Sequence, residues 1–81
     1  MAGLGEIEKL RLLLPHWIEH NAEHAAEFRE WAERAQRVNQ GDAARNMHLA
    51  AESLEEANRA LSTALEKLGG VPTKSKGAHD I

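Results

Sequence analysis

Hydrophobic residues in the first half of the chain recur at alternating intervals of three and four. Eight of the ten positions on this line are apolar, and Asn21 and His24 are the exceptions: Ile7, Leu10, Leu14, Trp17, Asn21, His24, Phe28, Trp31, Ala35 and Val38. The spacing matches the a and d positions of a heptad, which lie along one side of an α-helix. Ile18, Ala25 and Ala32 occupy e positions and widen the apolar side, as is typical of helical bundles. The pattern predicts an amphipathic helix over about residues 5–39.

Pro15 interrupts this helix in principle, because it lacks an N–H and its ring clashes with the preceding turn at about 3 kcal/mol. It falls at a b position, outside the apolar line, and the heptad continues through it in register. We interpret the segment as one continuous, kinked helix. The alternative is a short helix over about residues 4–13 followed by a second that has Pro15 at its first position.

A turn and a second helix follow. Gly41 is expected to adopt the left-handed conformation that ends the first helix, and Asp42 to cap the next one. The second apolar line contains Ala43, Met47, Ala50, Leu54, Ala57, Leu61, Ala64 and Leu68. Gly69, Gly70 and Pro72 then stop the helix. We predict a turn at residues 39–42, a helix over about residues 43–68 and a flexible tail over residues 71–81.

The short turn predicts that the two helices pack antiparallel, so the fold class is all-α with a helical hairpin. In this register Trp31 lies opposite Ala50 and Trp17 opposite Ala64. The first helix would therefore contribute large side chains to the core, and the second helix small ones.

Assembly with a second copy is expected, because a chain of 81 residues forms only a thin core from two helices. Leu14 pairs with Leu68, so Ile7 and Leu10 project beyond the second helix. Two hairpins that form a four-helix bundle would bury these side chains. Alternatively, the segment before Pro15 folds back over its own hairpin. We predict a homo-oligomer, a dimer or larger.

Composition excludes several classes of protein. Ten basic residues are spread among thirteen acidic ones, with a net charge of −3, which argues against a nucleic-acid-binding surface. The longest apolar stretch, Leu12 to Leu14, is too short to span a membrane. The N-terminus lacks the basic start and apolar run of a signal peptide. Cysteine is absent, and we expect a cytoplasmic protein.

Three histidines form the most specific chemical pattern. His16, His20 and His24 recur every four residues, with Glu27 one turn beyond. Two imidazoles at this spacing can chelate a transition metal, and a carboxylate can add a third ligand. The predicted ligands are His20, His24, Glu27 and His16, and the predicted metal is nickel, cobalt or zinc. On the second helix, Asn58 is expected to face His24.

Structural alternatives exist for each of these residues. His16 suits a solvated surface, whereas Asn21 and His24 suit a polar core layer that fixes register and oligomeric state. Stacked histidines would also repel each other once protonated, which would make the bundle responsive to pH. His48 and His79 lie outside the cluster and are interpreted as incidental.

No pattern indicates catalysis. Ser53, Ser62 and Thr63 lack an oriented His–Asp pair, and the Glu-x-x-His motif of di-iron bundles is absent from the sequence. The aromatic residues Trp17, Phe28 and Trp31 have core spacing and are interpreted as packing residues. We therefore expect a protein that is not an enzyme.

The run from Leu14 to Ala25, LPHWIEHNAEHA, followed by Phe28, Trp31 and Ala32, resembles a family of small helical proteins of bacteria and archaea. This family carries an HWIEHN-x-EHA signature and is associated with nickel and cobalt handling. The similarity covers roughly residues 7–70, and the histidine-rich run is its specific part. The resemblance implies that His16, His20 and His24 are the characteristic residues of the family, and it implies no catalytic role for them.

The leading function from the sequence is non-enzymatic binding of a divalent transition metal by the histidines of the first helix. The alternative is a structural dimerisation or adaptor module in which the His and Asn layer only sets register.

Overall fold

The computed structural model describes residues 2–72. Within this range the chain forms two α-helices, α1 at Ala2–Arg37 and α2 at Gly41–Lys67, and contains no strand. The helices pack antiparallel, since Arg11 near one end of α1 contacts Gly70 just after α2. The predicted all-α class and helical hairpin are confirmed. Most of the predicted flexible tail, residues 73–81, lies outside the described residues.

Helix α1 is continuous through Pro15. The proline is half-buried, and the helix extends more than three turns to either side of it. The helical bond from residue 15 to the carbonyl of residue 11 is necessarily missing. The interpretation of a single helix is therefore correct, and the alternative of two separate helices is not.

The turn between the helices depends on Asn39 rather than on glycine. Asn39 has a φ of 63°. Its N–H donates to the carbonyl of Gln36 at 3.1 Å, and that of Gln40 donates to Ala35 at 2.9 Å. This is the hydrogen-bond pattern of a Schellman motif with a left-handed residue just after the helix. Asparagine adopts this conformation more readily than other residues that carry a side chain.

The expected roles of Gly41 and Asp42 are therefore wrong. Gly41 is the first residue of α2, and Gln40 precedes it as an N-cap without a side-chain hydrogen bond. Asp42 lies inside the first turn, where its carboxylate accepts a hydrogen bond from Arg45 at 2.9 Å. A carboxylate in this turn also interacts favourably with the positive end of the helix dipole.

The end of α2 matches the predicted glycine stop. Gly69 and Gly70 have φ values of 101° and 80°. Their N–H groups donate to Glu66 at 3.0 Å and to Leu65 at 2.9 Å, which is a second Schellman motif. The guanidinium of Arg11 donates to the carbonyl of Gly70 at 2.7 Å. This bond fixes the end of α2 against α1.

The contact between the helices consists mainly of alanines. The buried hydrophobic residues in the described chain are Leu14, Ala25, Ala32, Ala44 and Ala51. The e positions of α1 therefore lie at the centre of the contact with α2, and the d positions Trp17 and Trp31 lie at its edge. On α2 the sequence predicted that Ala43, Ala50, Ala57 and Ala64 face α1, but all four are exposed. The buried alanines, Ala44 and Ala51, each follow a predicted position by one residue.

The prediction that the tryptophans lie between the two helices is wrong. Trp17 and Trp31 are 41% and 53% exposed, and the alanines opposite them in register are exposed as well. Alanines on both helices let the backbones approach closely, and an indole ring does not fit into so narrow a space. The large side chains therefore lie beside the contact.

Two polar pairs also join the helices. Asn21 donates to the side-chain oxygen of Asn58 at 3.0 Å, so Asn58 faces Asn21 and not His24 as expected. Arg29 donates to both carboxylate oxygens of Glu55, at 2.6 and 3.0 Å. The hydrogen bonds from Arg29 lower the pKa of Glu55, and those to Glu55 raise the pKa of Arg29.

Neither helix has an apolar stretch long enough to cross a membrane, as far as the chain is described by the structure.

Candidate functional site

The three histidines of α1 form a continuous stack along the helix. The ring centroids of His16 and His20 are 5.9 Å apart, and those of His20 and His24 are 4.7 Å apart with the planes at 78°. His24 is followed by Phe28, whose ring is nearly parallel at 6.0 Å. The fourfold spacing of the sequence produces this arrangement, because residues four apart lie one above the other on a helix. His20 and His24 form the closest pair of rings in the stack.

Glu27 contacts the last histidine of the stack. Nδ1 of His24 lies 3.3 Å from a carboxylate oxygen of Glu27, and the two side chains are 46% and 61% exposed. An ionised carboxylate accepts hydrogen bonds only, so Nδ1 of His24 is the donor in this pair. In the neutral ring, Nε2 is then unprotonated and able to bind a metal ion. Glu27 orients His24 in this arrangement.

The predicted ligands are not gathered into one metal shell within a single chain. Among the described residues, no three His, Asp or Glu side chains are grouped closely enough to hold a metal ion. The histidine stack of one chain instead contains two neighbouring ring pairs, His16 with His20 and His20 with His24. His48 is half-buried on α2, apart from the stack, and His79 lies outside the described residues.

The stack borders an exposed apolar surface, which we name the tryptophan face. On α1 it comprises Leu10, Trp17, Trp31 and Val38, all more than a third exposed. On α2 it comprises the half-buried residues Met47, Leu54 and Leu61 and the exposed Ala50, Ala57 and Ala64.

Two shallow grooves join the helices across this face. Trp17 and Leu61 line one groove together with His16, His20 and Asn21. Trp31, Val38 and Met47 line the other groove with Arg34 and Ala35. The histidine stack and the tryptophan face are therefore parts of one surface.

A family model covers both parts of this surface. It is described as a domain of unknown function, DUF8180, and it matches residues 10–68, which is more than half of the chain. The chain belongs to this family. Comparisons with curated proteins and with solved structures found no match. The matched region of this DUF8180 domain includes the histidine stack, both tryptophans and the alanine contact between the helices.

One cation lies over the tryptophan face of this DUF8180 domain. The guanidinium carbon of Arg34 is 4.4 Å from the centre of the Trp31 ring, within the range of a cation–π interaction. Arg34 also donates to Glu30 at 3.4 Å. The guanidinium of Arg34 covers one side of the indole, and Trp31 is nevertheless 53% exposed.

Sequence reasoning identified the histidines but missed the exposed face. The heptad assigns more apolar positions to α1 than one neighbouring helix can cover. The signal was present in Ala25 and Ala32, because small residues at e positions indicate a second line of contact beside the a and d lines.

Proposed function

We propose that this protein is a non-enzymatic module that assembles with a second copy of itself through the tryptophan face, forming a homodimeric four-helix bundle. One observation carries this proposal. Trp17 and Trp31 are 41% and 53% exposed on one side of a hairpin whose buried residues, in the part of the chain that the structure describes, are four alanines and one leucine. An apolar patch of this kind typically marks an interface. A core made mostly of alanine adds little stability by itself.

The chemistry of the face supports a second copy as its occupant. The register fixed by the bond between Arg11 and Gly70 puts Trp17 level with Ala64 and Trp31 level with Ala50. The exposed residues of the face are large on α1 and alanines on α2, whereas Met47, Leu54 and Leu61 of α2 are half-buried, so the face is complementary to itself. A two-fold axis parallel to the helices would lay α1 of each copy on α2 of the other. Every tryptophan would then pack on an alanine at its own level.

The charge distribution agrees with an apolar interface. Arg34, His16 and His20 lie at the margins of the tryptophan face, and His24 is the one polar residue of α1 on the line between Trp17 and Trp31. Leu12 and Leu49 are also exposed, at 62% and 52%, but helical geometry places each on another side of its helix. They serve as controls. A cytoplasmic location, expected from the sequence, is part of the same proposal.

Light scattering behind a sizing column tests the assembly. In the presence of a chelator, the wild type should have at least twice the mass of the 9.0 kDa chain. Trp17→Glu and Trp31→Glu should each shift the mass to that of one chain and leave the helical circular dichroism largely intact. Leu12→Glu introduces the same charge at a more exposed site and should remain a dimer. A folded wild-type monomer at tens of micromolar would contradict the proposal.

A further inference from the structure

We propose that Arg34 is a positioning residue for the self-assembly, which holds the Trp31 side chain in the orientation in which it meets the second copy. This inference rests on the proposed function and deepens it, because it assigns part of the strength of the dimer to a charged residue at the margin of the tryptophan face. The observation that carries it is the stack of the two side chains. The guanidinium carbon of Arg34 lies 4.4 Å from the centre of the Trp31 ring.

Trp31 is the tryptophan that most needs support in the single chain. It is 53% exposed, against 41% for Trp17, and it borders a shallow groove whose other apolar lining residues are Ala35, Val38 and Met47. An exposed side chain that must settle into one rotamer on binding weakens the association by the entropy it loses. A ring that is already held in the free chain avoids this loss.

The guanidinium is itself anchored on α1. Arg34 follows Trp31 by three residues and Glu30 by four, so the three side chains are neighbours on the helix surface. Arg34 donates to the carboxylate of Glu30 at 3.4 Å. A glutamate four residues before a basic residue is the favourable order for such a pair. Glu30 therefore keeps the guanidinium over the indole ring.

The corresponding position beside Trp17 has a different role. The residue three positions after Trp17 is His20, and its ring stacks on His24 with the centroids 4.7 Å apart. Among the described residues, the cation–π contact with a tryptophan is the one between Arg34 and Trp31. Support by a cation thus distinguishes the end of the tryptophan face that lies near the turn.

The stack already exists in one chain, so it strengthens the dimer only through what differs between the free and the associated states. The first difference is the ordering of the ring, which the free chain has already achieved. The second is the removal of water, because a cation–π attraction is stronger at a desolvated ring than at an exposed one. The two-fold symmetry of the dimer includes two such stacks and doubles both effects.

Sedimentation equilibrium of matched variants measures this contribution. Arg34→Gln should raise the Kd of the dimer about tenfold, and Arg34→Lys should raise it less, since lysine keeps the charge and loses the planar group. Arg37→Gln is the control with the same change in charge. Arg37 pairs with Glu33 at 3.9 Å and lies outside the tryptophan face, so this variant should dimerise as the wild type does.

A spectroscopic measurement separates positioning from direct contact with the second copy. The sequence contains two tryptophans, so Trp17→Glu, the expected monomer, retains Trp31 alone. Adding Arg34→Gln to this variant should reduce the near-ultraviolet circular dichroism of the indole and increase its quenching by acrylamide. The helical signal in the far ultraviolet should stay the same.

The outcomes distinguish this inference from the assembly itself. A wild-type dimer whose Kd changes no more in Arg34→Gln than in Arg37→Gln would overturn the role of Arg34 and leave the assembly intact. A weakened dimer without any change in the Trp31 signal of the monomer would also overturn it, because Arg34 would then act on the second copy directly. A wild type that stays monomeric would overturn both proposals.

Discussion

Asn21 and Asn58 form a polar pair at the contact between the two helices. The amide of Asn21 donates to the side-chain oxygen of Asn58 at 3.0 Å, and the amide of Asn58 donates to the backbone carbonyl of Ile18 at 2.9 Å. Both side chains are half-buried. Sliding one helix by a turn would separate all of these groups, so the pair fixes the register of the hairpin.

We expect Asn58→Ala to lower the free energy of unfolding by about 1–3 kcal/mol, because Asn21 is left without its acceptor in a partly buried site. Replacing both residues by leucine should cost less than the single change, since no polar group remains unpaired. Urea denaturation measures both effects. Asn46→Ala is the control, because the amide of Asn46 bonds only to the backbone of Asp42 on the exposed surface. A loss for Asn58→Ala no larger than the control's would contradict the register role.

The ion pair between Arg29 and Glu55 should make stability depend on pH. Hydrogen bonds from Arg29 hold the pKa of Glu55 below its ordinary value of 4.5. A lowered folded-state pKa means that the unfolded chain binds the proton more readily. The stabilisation is therefore present above about pH 5 and is lost as the pH falls through the lowered pKa.

Thermal melts of the wild type and Glu55→Gln between pH 7 and pH 2.5 test this effect. The difference in melting temperature between them should be largest near neutral pH and should shrink below about pH 4. Glu56→Gln is the matched control, because Glu56 lies 3.8 Å from Arg59 with both side chains more than 70% exposed. A difference between wild type and Glu55→Gln that stays constant over the whole range would show that Glu55 does not titrate with folding.

The hairpin was predictable from the sequence because heptad spacing and glycine stops are local signals. The rotation of each helix about its axis was not, because it depends on which line of a wide stripe packs best. On α1, the residues that recur every seven positions with Trp17 and those that recur with Ala25 both lie along one side of the helix, so either set could face α2. The structure selects the alanine line, since close backbone packing needs small residues on both helices. That choice is a property of the helix pair and is not visible in either sequence segment alone.

The candidate site likewise has features that the sequence predicts and features that it does not. The stacking of His20 on His24 follows from fourfold spacing, and the structure shows it at 4.7 Å. The partner of Asn58 could not be read from the sequence, because a small rotation of α2 exchanges His24 for Asn21 as its neighbour. The spacing of three residues predicts that Glu27 lies near His24. Which ring nitrogen of His24 contacts the carboxylate could not be predicted, because it depends on the side-chain rotamers of both residues.

Alanine should have opposite effects on stability at Gly69, which follows α2, and at Gly41, which begins it. Gly69 has a φ of 101°, so Gly69→Ala should destabilise the protein by about 1 kcal/mol. Gly41 starts α2 and is not among the glycines of positive φ in the described chain. Gly41→Ala should therefore be neutral or stabilise by about 0.4–1 kcal/mol. Chemical denaturation of both variants checks this, and a marked loss for Gly41→Ala would indicate a left-handed Gly41.

The alanine contact gives the sharpest test of how the helices are rotated. Ala32 and Ala51 are fully buried, whereas Ala22 is an exposed alanine of the same helix α1. We expect Ala32→Leu to destabilise the protein by about 1–3 kcal/mol, because added methylenes force the closely packed helices apart. Ala22→Leu should change stability by less than about 0.5 kcal/mol. If the tryptophan line packed between the helices, Ala32 would lie at the edge of the core. In that case leucine there would bury more apolar surface and raise stability. Urea denaturation of both variants distinguishes the two arrangements by the sign of the Ala32→Leu effect.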